Sequence, residues 1–115
     1  MPEFTPTPLY AWMIVIVSGC FEVLFSVMMK QSNGFARPVA SGIAVAAGLV
    51  SIWLMTLSLR TLPLGASYAV WAGIGALGTA LAASVFYAET FTLVKSGYLL
   101  LIVAGIVGLN LQGVD

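Results

Sequence analysis

Four long apolar runs, each closed by a short polar or proline-glycine break, organise the chain. The first extends from about Leu9 to Met29 and ends in Lys30-Gln31-Ser32-Asn33-Gly34, where Asn-Gly is a turn signal. The second extends from about Val39 to Leu59, behind Arg37-Pro38, since proline suits a first helical turn. Arg60-Thr61-Leu62-Pro63-Leu64-Gly65 closes it, and a third run follows from about Ala66 to Tyr87, stopping near Glu89-Thr90. The fourth is uncharged only from Tyr98 to Leu111, which is short for a bilayer core of about 30 Å. Starting it at Phe91, with Lys95 reaching back to the interface, closes the gap. A short helix that thins the bilayer locally is the alternative.

A helix crosses a bilayer in about 20 apolar residues, so the pattern predicts an all-α membrane protein with four transmembrane helices at about 9–29, 39–59, 66–87 and 91–111. Pro2, Pro6 and Pro8 keep residues 1–8 extended, and this leader is expected to be a loosely held tail without chemistry. It lacks the basic start and the cleavage site of a signal peptide. Loops this short predict an up-down-up-down bundle. The first and third loops carry Lys30, Arg37 and Lys95, and the second carries Arg60, so the bias places the first and third in the cytoplasm. A bias of two residues leaves insertion in both orientations open.

Composition sharpens this. Of 115 residues, 61% are hydrophobic and 7% charged, where a soluble domain has about 25% charged, and mean hydropathy is +1.09. There is no histidine and one cysteine, Cys20, so no metal site of histidine and cysteine and no intrachain disulfide is available; Cys20 is expected to be a small buried hydrophobe. With zero net charge and no basic run, nucleic acid is not an expected partner. No nucleophile–base pair is discernible, so an enzyme is not expected, and no cofactor is called for beyond protons.

Glu22 is the residue that this scaffold has to accommodate. It sits inside the first apolar run, where a charge costs at least about 2.5–3.5 kcal/mol on insertion scales, and such residues mark ion and proton pathways. Helical spacing puts Ser18, Gly19, Phe25, Ser26 and Met29 on its face. Desolvation disfavours a bare carboxylate, and no lysine or arginine lies inside any of the four runs. Glu22 then holds a proton or a cation from outside. The plainer reading is a protonated Glu22 that hydrogen-bonds a neighbouring helix and fixes packing.

Other polar and aromatic positions add to the site. Ser51, with Trp53 and Thr56 nearby in the second run, could hydrogen-bond Glu22 from the next helix or be satisfied by its own backbone. Tyr68 and Trp71, three apart, share a face where aromatic rings attract organic cations, or they belong to an interfacial belt. Gly73 and Gly75 read as a hinge, or as a place of tight helix packing. Ala104, Gly105 and Gly108 suit a helix–helix interface in the fourth run. Glu89 and Lys95 read as solvated boundary residues.

From about Tyr10 to Leu111 the chain resembles the small multidrug resistance family of bacterial transporters. The resemblance rests on Gly19-x-x-Glu22-Val23, on Lys30 with Asn33-Gly34-Phe35-x-Arg37-x-x-x-Ser41, and on Ala69-x-Trp71-x-Gly73-Ile74-Gly75. Thr61-Leu62-Pro63-Leu64-Gly65 and the run from Tyr68 to Thr79 look like its guanidinium-exporter branch. The resemblance implies an antiparallel dimer in the bacterial inner membrane, with both Glu22 carboxylates in one pocket where protons and a cationic substrate compete. It implies Gly19, Phe25, Ser51, Tyr68 and Trp71 as the pocket and Gly73 and Gly75 as the bend between inward-open and outward-open forms. Phe25 stands where that branch has tryptophan, and Asn110 where it has lysine. These departures leave room for guanidinium-type or quaternary ammonium substrates, and for a homodimer or a heterodimer with a paralogue. A passive ion channel and an assembly partner without transport of its own are the remaining alternatives.

Overall fold

A computed structural model describes residues 5–90 and 92–112. The described residues form four helices: α1 (Pro8–Gln31), α2 (Pro38–Ser58), α3 (Leu64–Phe86) and α4 (Leu93–Leu111). By length and composition α1, α2 and α3 suffice to cross a membrane. The α4 helix has 19 residues, about 28 Å at 1.5 Å per residue. It begins later than expected because Thr92 acts as its cap, its hydroxyl accepting from Lys95 N–H at 3.0 Å. Phe91, the expected start, lies outside the described residues.

Each boundary follows from local chemistry. Thr7 caps α1 by accepting from Tyr10 N–H, with Pro8 in the first turn. Beyond Lys30, Ser32 donates to Met29 O at 2.7 Å and accepts from Phe35 N–H at 3.0 Å, folding the first loop onto the helix end. Asn33, Gly34 and Phe35 there take φ of 51°, 70° and 64°, the left-handed region that an Asn-Gly pair tolerates best.

The helices do not close into the bundle that the short loops suggested. Backbone contacts join α2 to α1, α1 to α3, and α3 to α4, with no direct backbone contact between α2 and α4 among the described residues. The chain measures 41 × 39 × 16 Å, whereas a square bundle of helices 8–10 Å apart is about 15 Å across in both short directions. It is a layer in the order α2–α1–α3–α4. Loop length fixes which ends meet but not which faces pack. Here the small positions of α1 decide: Ala11, Ser18 and Gly19 are buried, which lets two helices flank α1 closely.

Two further expectations change. Within the leader, the Pro6 carbonyl accepts from the Thr61 hydroxyl, so Pro6 lies against the second loop. Cys20 is exposed, on the part of α1 that neither neighbour covers. The Pro6–Thr61 bond and the Lys30 ammonium 5.8 Å from the Tyr87 ring centroid place Pro6 with the second loop, and the first loop with the end of α3.

Candidate functional site

The site begins at the α1–α3 contact, where glycines receive side chains. A Cβ at Gly19 would lie 2.6 Å from Ile74 Cγ2, and one at Gly78 would overlap Val23. Between them Gly75 receives Glu22, whose Cγ lies 2.8 Å from where its Cβ would be. Glycine is therefore required at position 75 to let the Glu22 side chain lie along α3. Gly73 faces the other way and takes Ile106 and Ile102 of α4. Both glycines that the sequence offered as a bend lie inside an uninterrupted α3, each filled by a neighbour.

The Glu22 side chain emerges into an open groove of about 570 Å³ along α3. Its wall includes Ser26, Tyr68, Trp71, Ala72, Gly75 and Thr79, and it ends at Glu89. Among the described residues no lysine or arginine lines it. Tyr68 and Trp71 stand with ring centroids 5.3 Å apart at 48°, a tilted pair that presents aromatic surface beside the carboxylate. Ser26 donates to Glu22 O at 3.0 Å, so its hydroxyl serves the helix backbone.

A second groove, of about 410 Å³, opens on the α2 side of Glu22 and Trp71 and is lined by Phe25, Val45, Gly48, Leu49 and Ile52. Phe25 belongs here: its ring fills the space above Gly48, 3.1 Å from a would-be Cβ. Glu22 thus borders an aromatic, partly polar groove on one side and an apolar one on the other.

Ser51 does not bond Glu22. It forms a reciprocal pair with Ser18, each hydroxyl donating to the other's backbone carbonyl, at 2.7 Å from Ser18 and 2.8 Å from Ser51. Ser51 Oγ also accepts from Trp71 Nε1 at 3.1 Å. Both serines are fully buried. The network joins three helices and fixes the indole that borders both grooves. Ser18 was placed on the Glu22 face from spacing alone; its pairing with α2 depends on inter-helix register, which spacing does not carry.

The sequence profile of the Small Multidrug Resistance proteins matches residues 10–107. The chain belongs to the small multidrug resistance family. Curated relatives in this family include a "Guanidinium exporter" of Yersinia pseudotuberculosis, 42% identical over 101 residues that span 88% of this chain and 97% of the relative. Proteins of the same name from Citrobacter freundii and Escherichia coli are 41% identical over 102 residues, 89% of this chain and 97% of each relative. Family membership and three apolar helices of spanning length make this a bacterial inner-membrane protein.

The remaining residues singled out in the sequence lie apart from the grooves. Gly19 is buried under Ile74, at the α1–α3 contact and outside both linings. Ala104 and Gly105 are exposed on α4, and a Cβ at Gly105 or Gly108 would meet nothing within 4 Å. The Asn110 side chain lies outside the described residues. Trp53 is exposed on α2, and Thr56 donates to Ile52 O at 2.8 Å. The groove residue that sequence reasoning passed over is Glu89, because a charge at a helix end ordinarily belongs to solvent.

Proposed function

We propose that this chain is a proton-coupled antiporter that exports small organic cations, guanidinium-type compounds or quaternary ammonium ions, by alternating access. One observation carries the reading. A single membrane carboxylate, Glu22, opens into a groove that has an aromatic pair and no basic side chain, so only a proton or an incoming cation can neutralise it. The relatives named as guanidinium exporters support the same substrate class.

The single-layer fold supports a dimer. Both grooves are open, and a lone layer exposes large apolar residues along every helix. A second copy in inverted orientation would lay its own Glu22 against the first and enclose one shared chamber, with Ala104, Gly105 and Gly108 of α4 available for the close helix contact. Within that chamber, Glu22 releases its proton when the cation binds and the cation when a proton returns. Trp71, held by Ser51, and Tyr68 provide the face on which a planar or quaternary cation rests. Gly73 and Gly75 let α3 bend as the chamber changes sides.

Reconstitution of this chain alone, with guanidinium flux measured with and without a pH gradient, tests the proposal. Antiport predicts uphill export driven by the gradient and its loss in Glu22→Gln. Flux that ignores the gradient would identify a passive channel instead. An inactive chain that recovers with a paralogue would identify a heterodimer subunit.

A further inference from the structure

We propose that Glu89 is an outer station for the transported cation, at the loop end of the groove, where a guanidinium or ammonium binds before it reaches Glu22; this rests on the transport reading above. Glu89 borders three cavities: the groove that holds Glu22, a cavity of about 130 Å³ shared with Lys30 and Tyr87, and one of about 210 Å³ shared with Lys95 and Tyr98. Among the described residues, Glu22 and Glu89 are the two charged groups of the main groove. Between them its floor is Gly75, Ala76, Thr79, Ala80 and Ala83, with nothing larger than threonine along about 12 Å of helix. Two carboxylates joined by a smooth floor make a path for a cation.

The Glu89 carboxylate is available. Lys95 Nζ stands 3.9 Å from it with both side chains about half exposed, while the ammonium makes its hydrogen bond to Thr90 O at 3.1 Å. An exposed pair of this kind contributes little to stability. A guanidinium can take the carboxylate with two parallel N–H donors, a geometry closed to the lysine ammonium. Tyr87 adds a second polar group beside Glu89. Its hydroxyl oxygen is buried without a hydrogen-bond partner among the described residues, in the wall shared with Glu89. Its ring already carries the Lys30 ammonium 5.8 Å from the centroid, so the environment suits a cation. Lys30 and Lys95 are then resident cations that the substrate displaces.

The sign of two substitutions tests this. If the Glu89–Lys95 pair is only a structural tie, Glu89→Gln and Lys95→Gln break the same contact and shift the KM for guanidinium in the same direction. If Glu89 is a cation station, they act oppositely: Glu89→Gln raises KM about 2–5-fold and Lys95→Gln lowers it about 2-fold, by the ordinary worth of an exposed charge contact. Both shifts shrink at about 1 M salt, where the screening length falls to about 3 Å. Glu89→Asp should recover most of the loss. Should Glu89→Gln fail to fold, the Lys95→Gln decrease in KM decides alone. Shifts of the same sign, or none, in a wild-type background that transports would overturn the station and leave the transport reading standing. A wild-type chain with no cation transport would overturn both.

Discussion

Replacing Ser51 by alanine removes one hydroxyl and disturbs three helices. The substitution deletes the donor to Ser18 O and the acceptor of Trp71 Nε1, while Ser18 keeps its own bond to the Ser51 carbonyl. A lost interhelical hydrogen bond in a bilayer is worth about 0.6 kcal/mol, and up to about 1.7. Leaving the part-buried indole N–H without its acceptor adds about 1–3 kcal/mol. Together these predict a loss of roughly 2–4 kcal/mol, divided between the α1–α2 contact and the pose of Trp71. The division is measurable by a double-mutant cycle with Trp71→Phe, which removes the donor instead. Substrate affinity by calorimetry in detergent should fall about 5–30-fold in Ser51→Ala, corresponding to about 1–2 kcal/mol at 1.4 kcal/mol per decade. The Ser51→Ala/Trp71→Phe pair should fall short of additivity by about 1 kcal/mol. An additive cycle, within about 0.3 kcal/mol, would refute the claim that Ser51 acts through Trp71.

Glycine-to-alanine substitutions should separate the site from open surface. Gly75→Ala should displace the Glu22 side chain and abolish most transport, and Gly19→Ala should cost about 1–3 kcal/mol of thermal stability against Ile74. Gly42→Ala, where nothing stands within 4 Å, should leave the melting temperature unchanged or raise it, by the roughly 1 kcal/mol helix preference of alanine. Phe25→Trp must fit a larger ring above Gly48 and adds an N–H donor at the groove; competition transport should show guanidinium gaining on tetraalkylammonium ions. Because proton and cation compete for Glu22 in the proposed cycle, raising the pH should lower the apparent Kd for guanidinium. The fall approaches tenfold per pH unit while the site is mostly protonated, and isothermal titration across a pH series measures it.

The helices were legible because apolar length and proline punctuation act locally. The observed starts at Pro8, Pro38 and Leu64 each lie at or beside a proline. Glu22 stood out for an equally local reason, the cost of a carboxylate in an apolar run. What was not legible depends on how faces meet. Periodicity placed Ser18 and Gly19 beside Glu22 on α1, yet the fold turns Ser18 toward α2 and Gly19 under Ile74 of α3. Ser51 was offered to Glu22 and instead serves Ser18 and Trp71, because a hydroxyl takes whichever partner the register supplies. A closed bundle and an open layer demand the same loops, so the sequence could not choose between them. Glu89 looked like a solvated boundary until the groove reached it.

The central claim is that a proton and a cation occupy Glu22 exclusively. Proton release on binding measures this directly. Purified protein in weakly buffered detergent, below the pH at which Glu22 is fully ionised, is titrated with guanidinium while the external pH is recorded. The account predicts protons released in proportion to cation bound at Glu22, and no proton release in Glu22→Gln. Guanidinium that binds the wild-type protein without displacing protons, or that still displaces them from Glu22→Gln, would contradict it.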